Sequence, residues 1–277
     1  MGSGETICVT GAGGFIVSWI VKLLLEKGCY VKGTVRSSER SQHLLTLNGA
    51  SDRLQLVAAD ILTPGTFDSI FEGCDGVFHT AAFVPGNNTI PPAQIEDTAI
   101  KGTLNVLESC AKTRPKRVVF TSSFVTMKFT PKETPESVFD ETFWTDPQFA
   151  RKELGDTALS PDTYFKAYVV GKTLAEEAAW EFVKTHSLDM VVMNPVMVAG
   201  PMLQTSVNAT NEFPGDLFLG KTIVIPNHVT LWVGVKDVAK AHVLAYENPK
   251  AEGRYILAER AMHYFDLVVL LKKLFPQ

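Results

Sequence analysis

Apolar and polar positions along the chain change period in a regular way. In TICVTGAGGFIVSWIVKLLLEKGCYVKGTV, Thr6 to Val35, a β-rich run at Ile7–Thr10 is followed by a glycine turn. A helical period then places Ile16, Ile20, Leu23 and Leu24 on one face, Gly28 supplies a C′ residue, and Tyr30–Val35 returns to strand. Further strands are predicted at Leu54–Val57, Val77–His79, Val118–Thr121 and Met190–Met193, with helices at Thr98–Lys112 and Tyr164–Lys184 between them. Strands alternating with helices imply an α/β fold, a Rossmann-type doubly wound parallel sheet. After Gly200 the rhythm breaks into a stretch rich in Pro, Asn and Gly, followed by helical patterns at Val235–Tyr246 and Phe265–Leu274. The expected organisation is a dinucleotide-binding unit from residues 1–200 and 230–247, with a small substrate lobe from 201–229 and 248–277.

Composition narrows this picture. The chain has 277 residues, of which 45% are hydrophobic and 20% charged, enough for one large unit with a sizeable core. Net charge is −4 with the signs mixed along the chain, so no basic stripe points to nucleic acid. The most apolar run is broken by Lys22 and is too short to span a bilayer, so no membrane partner is expected. Cys8, Cys29, Cys74 and Cys110 lie far apart and fit reduced, buried thiols in a cytoplasmic monomer or homodimer. The histidines show no paired ligand spacing, and no metal is expected.

The candidate chemistry begins at the glycine turn TGAGGFIV. Gly11 permits the tight turn and Gly14 lets backbone approach a pyrophosphate, which the following helix N-terminus attracts. Val17 occupies the third position, usually small, and its bulk is expected to press on the sheet or displace the cofactor slightly. At the end of the second strand, where NAD sites place a carboxylate, stands Arg36 with Arg40 close by. A guanidinium meets a 2′-phosphate with charge-assisted bonds, so NADP(H) is the expected cofactor. Asp60 is placed to accept a bond from the adenine amine, or to cap the turn before Thr63-Pro64.

A central strand ends at Thr121 with Ser122 and Ser123 at its carboxyl end, where open α/β sheets bind ligands. Tyr168 and Lys172 then stand four apart on one helix and share a face. The ammonium is expected to stabilise phenolate and bring the Tyr168 pKa nearer the working range. Tyr246 and Lys250 repeat the spacing, but Pro249 forbids a continuing helix between them, so Tyr246 is expected to be a packing residue.

Taken in order, TGAGGF, TVR, HTAA, KGTLNVLESC, VVFTSS, the Tyr168 helix, MNPVMVAGP and GRYILAE resemble the extended short-chain dehydrogenase/reductases. Within these the likeness is to the plant-type group of cinnamoyl-CoA reductases, dihydroflavonol reductases and aldehyde reductases, and it covers nearly the whole chain. The resemblance implies that Ser123, Tyr168 and Lys172 are catalytic and that Arg36 and Arg40 bind the 2′-phosphate. It further implies cofactor contacts from Gly11, Gly13, Gly14, Phe15, Ile16, Asp60, Ile61, Thr80, Ala81, Ala82, Thr121, Lys172, Pro195 and Val198, with Asn194 shaping the last turn. Phe83, Phe124, Met127, Tyr164, Met197 and Leu203 are the expected apolar walls for a small-molecule carbonyl substrate. Cinnamoyl-CoA reductases carry Asn-Trp-Tyr-Cys-Tyr-Gly-Lys around the tyrosine, whereas this chain reads FKAYVVGK. The departure favours free aromatic or aliphatic aldehydes and ketones, with cinnamoyl-CoA or dihydroflavonol reduction as the alternative. A sugar epimerase and an NADPH-binding regulator remain as rivals, the former disfavoured by Arg36. Relatives of this kind continue past LFPQ, so a reduced cover over the substrate pocket is also expected.

Overall fold

The computed structural model describes residues 4–37, 39–82, 91–132, 134, 136–154, 161–221 and 224–276. Its first half runs β1 (Thr6–Val9), α1 (Phe15–Glu26), β2 (Tyr30–Val35), a 3-10 segment (Glu39–Thr46), α2 (Ala50–Arg53), β3 (Leu54–Ala58), α3 (Asp68–Phe71), β4 (Gly76–His79), α4 (Pro92–Thr113) and β5 (Arg117–Thr121). Then come α5 (Val125–Lys128), α6 (Pro147–Glu153), α7 (Pro161–His186), β6 (Met190–Pro195) and β7 (Met197–Ala199). The chain continues through α8 (Ala209–Phe218), β8 (Val229–Gly234), α9 (Val235–Glu247), β9 (Gly253–Leu257), β10 (Arg260–His263) and α10 (Tyr264–Leu274).

Seven strands form one sheet in the order β3-β2-β1-β4-β5-β6-β9, and every pair in it is parallel. Strand order reverses between β1 and β4, which opens a crevice beyond their carboxyl ends. One face of the sheet packs under α1 and α9, around Ile20, Leu24, Val119 and Val243. The other packs under α4 and α7, around Phe67, Val106, Val118 and Val192. Because both faces are covered, the central strands carry apolar runs such as Val118–Phe120, and all five residues of β5 are buried. No helix among the described residues is long and apolar enough to cross a membrane.

Two of the expected boundaries are corrected. β9 pairs in parallel with β6, Val192 opposite Arg254, so residues 253–257 belong to the main sheet and not to the lobe. The pairing satisfies backbone groups along β6 that would otherwise form a bare sheet edge. Conversely β7 and all of β8 but Val229, assigned above to the main unit, join β10 in a separate three-stranded sheet. Beside that sheet α8 and α10 bury no residue, and Phe218 and Phe275 stack edge to face at 4.9 Å.

Tyr246 is the packing residue expected. α9 stops at Glu247, Asn248 is extended, and the Tyr246 ring lies 5.6 Å from that of Phe78 in the core. It covers Gly76 so closely that a Cβ there would fall 2.2 Å from the ring. Gly76→Ala is therefore expected to destabilise the fold by about 1–3 kcal/mol through overpacking. An unchanged urea midpoint would contradict this packing.

Candidate active site

The crevice between β1 and β4 is organised by one hydroxyl. Thr10 Oγ1 accepts the backbone N–H groups of Thr80 at 3.1 Å and Ala81 at 3.0 Å. Its own hydrogen therefore goes to His79 Nδ1, 3.0 Å away, which places the imidazole proton on Nε2. Burial and the nearby Lys172 charge depress the His79 pKa to about 3, so the ring is neutral. This arrangement brings Thr80 and Ala81 beside the glycine turn.

Gly11 has φ +71°, and a Cβ there would lie 3.1 Å from Ala81 Cα, so the position admits only glycine without strain. Gly14 caps α1 without a side-chain bond, and the first turn holds no acidic residue. The amide groups that begin α1 are thus left for an anion. Ser18 Oγ donates to Gly14 O at 2.7 Å and lies 2.8 Å from His43 Nε2. That contact ties the turn to the 3-10 segment following Arg36, and sequence reasoning missed it. Gly13, Phe15 and Ile16 line the same turn, all part-exposed. Val17 is 5% exposed and packs into the main core, so its bulk is taken up on the sheet side.

Arg36 is exposed at the end of β2, and the Arg40 side chain lies outside the described residues. Asp60 is also exposed; its Oδ1 accepts the Leu62 N–H at 2.9 Å, the turn-capping role considered above. Ile61 packs over Gly102 of α4. Crowding at Gly11, an uncapped helix N-terminus and an arginine where a carboxylate would stand together fit a dinucleotide bearing a 2′-phosphate.

β5 and α7 bring the three expected reactive groups together. Tyr168 and Ser123 are joined by a side-chain hydrogen bond. Lys172 Nζ donates to Thr121 O at 2.9 Å and lies 5.3 Å from the centre of the Phe120 ring. Burial pushes the Lys172 pKa down to about 8 against the opposing pull of Glu176. For Tyr168 the expectation is corrected. Burial raises its pKa and outweighs the Ser123 hydrogen bond, so the phenol keeps its proton.

The remaining expected residues divide. Thr121 Oγ1 turns away to His242 Nε2 at 2.8 Å, leaving only its carbonyl toward Lys172. Pro195 is buried and accepts the Phe124 N–H at 3.0 Å, while Val198 is 4% exposed in a small cluster with Val233. Ala82 is exposed, and Phe124, Tyr164, Met197 and Leu203 are partly so. Met127 is fully buried, so as a pocket wall it is corrected to a core residue: the short α5 turns it inward. Phe83 lies outside the described residues. Beside Phe124 the sequence reading missed Phe139 and Phe143, which extend an aromatic row at centroid spacings of 5.6 and 5.0 Å. It also missed Glu176 and Arg254, although Glu176 continues the Tyr168–Lys172 stripe by one more turn.

Such a crevice, with a serine just past β5 and a Tyr–Lys pair in the first half of α7, is that of an extended short-chain dehydrogenase/reductase. The chain belongs to the NAD dependent epimerase/dehydratase family, whose model matches residues 7–258. It is 48% identical to cinnamoyl-CoA reductase CAD2 of Medicago truncatula, across 99% of this chain and 82% of that protein. It is 46% identical to cinnamoyl-CoA reductase 1 of Petunia hybrida, across 99% and 79% respectively. Among solved structures it resembles vestitone reductase from alfalfa, Medicago sativa, with a TM-score of 0.84 and 31% identity over 98% of this chain and 82% of that one. Gre2 of Candida albicans in complex with NADPH also matches at 0.84 and 31%, over 98% and 83%.

Arg36→Ala should lower the NADPH-over-NADH preference in kcat/KM by roughly ten- to a hundredfold, the worth of one hydrogen bond to a charged group. An unchanged preference would remove Arg36 from the 2′-phosphate site.

Proposed function

We propose that Ser123, Tyr168 and Lys172 carry out carbonyl reduction in this chain. The chain is an NADPH-dependent reductase of phenylpropanoid-type substrates. The observation that carries the residue roles is Lys172, buried and donating to the Thr121 carbonyl two residues before Ser123, one helical turn from Tyr168 on α7. When bound, NADPH supplies a hydride to the carbonyl carbon. The N-terminus of α1 would hold its pyrophosphate, and Arg36 with Arg40 its 2′-phosphate.

Ser123 donates a hydrogen bond to the substrate oxygen, where negative charge develops. Tyr168 gives its proton to that oxygen, so an alcohol leaves and a phenolate remains. Lys172, positively charged below about pH 8, stabilises this phenolate and would hold the nicotinamide ribose. Phe124, with Phe139 and Phe143 beyond it, offers a flat apolar wall suited to an aromatic substrate.

A free aldehyde or ketone is the finer reading, because FKAYVVGK departs from the cinnamoyl-CoA reductase pattern around the tyrosine. A CoA thioester is the second reading, favoured by the 46–48% identity to proteins named for it. The four cysteines are buried free thiols, which supports a cytoplasmic setting.

With cinnamaldehyde as substrate, Tyr168→Phe is expected to lower kcat about 10²–10⁴-fold while the Kd for NADPH stays within about twofold. Retained turnover would overturn the assignment of Tyr168 as proton donor.

A further inference from the structure

Glu176 is completely buried, yet its carboxylate collects four donors from three separate parts of the chain. Ser122 Oγ donates to Oε2 at 2.5 Å, Asn194 Nδ2 at 3.0 Å, and Thr126 Oγ1 lies 2.9 Å away. Arg254 Nε from β9 donates to Oε1 at 2.6 Å. A buried ion pair is weak support for stability, since apolar residues of like volume often serve as well, but it fixes orientation sharply.

What it orients is the serine strand end. Thr126 Oγ1 receives Arg254 Nη2 at 2.8 Å and Asn194 Nδ2 at 3.1 Å. Its single hydrogen can then go to Glu176 or to the Ser123 carbonyl, each 2.9 Å distant. The Ser123 carbonyl also lies 3.1 Å from the Thr126 N–H and 3.2 Å from Asn194 Nδ2. Glu176 thus never touches Ser123 but satisfies the groups that hold it. On its far side Arg254 Nη1 donates to the carbonyls of Glu141 at 3.1 Å and Phe143 at 2.6 Å, and its guanidinium sits 3.7 Å over the Trp144 ring. The same pair therefore also fixes the loop that carries the aromatic row beside Phe124.

We propose that Glu176 and Arg254 are positioning residues: they hold Ser123 and the aromatic wall in register with Tyr168, while Glu176 places the negative charge that faces Lys172. This rests on the reductase reading of the same site. The groups around Lys172 are Tyr168 and Glu176 on α7, the Thr121 carbonyl and Phe120 ring on β5, and neutral His79 on β4. Arg254 lies across the Glu176 carboxylate. Glu176 favours the ammonium form, so its neutralisation must move the loss of that proton to lower pH.

The test compares kcat against pH for the wild type, Glu176→Gln and Thr126→Val, with NADPH and cinnamaldehyde, alongside the NADPH Kd of each. Glu176→Gln should lower kcat about ten- to a hundredfold, with the alkaline limb displaced to lower pH and the NADPH Kd within about threefold. Thr126→Val, which alters no charge, should lower kcat and leave the limb in place. A Glu176→Gln protein that binds NADPH and keeps the wild-type limb would overturn the inference. Should that variant fail to bind NADPH, Thr126→Val decides, and an unchanged kcat would overturn it. Absence of wild-type turnover would instead count against the reductase reading and this inference together.

Discussion

The site depends on an ammonium group that has been taken almost entirely out of water. Lys172 is 5% exposed, and burying an uncompensated cation costs several kcal/mol. Its compensation comes from different elements: the Thr121 carbonyl at the end of β5, the Phe120 ring, and the Glu176 carboxylate one turn along α7. Each needs β5 and α7 held in one relation, which the parallel ladder from β4 through β6 and the packing of α7 against α4 provide.

Two further buried polar devices repeat this logic. Thr10 uses one hydroxyl to seat Thr80 and Ala81 against the glycine turn, and it forces His79 into a single tautomer. Glu176 and Arg254 tie β5, β6, α7 and β9 to the loop at Glu141–Trp144. The first sits beyond the carboxyl ends of β1 and β4, and the second gathers Ser122 and Asn194 near the carboxyl ends of β5 and β6. The glycine turn and the Tyr168–Lys172 helix thus share a scaffold while using different elements.

The features legible from sequence were local ones. Tyr30–Val35 forms the strand its β-branched pattern predicts, and Gly28 ends α1 with φ +81°. The choice of Tyr168 over Tyr246 rested on Pro249, and α9 does stop before it. Long-range placement was not legible. Nothing in the five residues of β9 says that they join β6, because a half-buried edge strand carries no continuous apolar run. Glu176 and Arg254 lie 78 positions apart, and each by itself reads as an ordinary surface charge. Met127 has the chemistry of a pocket wall and is buried only because α5 turns it inward. The Tyr168 shift went opposite to expectation because its sign is decided by burial, a property of the folded molecule.

The most direct measurement of the central claim is nicotinamide absorbance when the protein is mixed with NADPH and, separately, cinnamaldehyde, phenylacetaldehyde, cinnamoyl-CoA and a dihydroflavonol. The account predicts loss of NADPH matched by one equivalent of reduced product, fastest with a free aromatic aldehyde. NADPH left unoxidised by every member of the panel would contradict it.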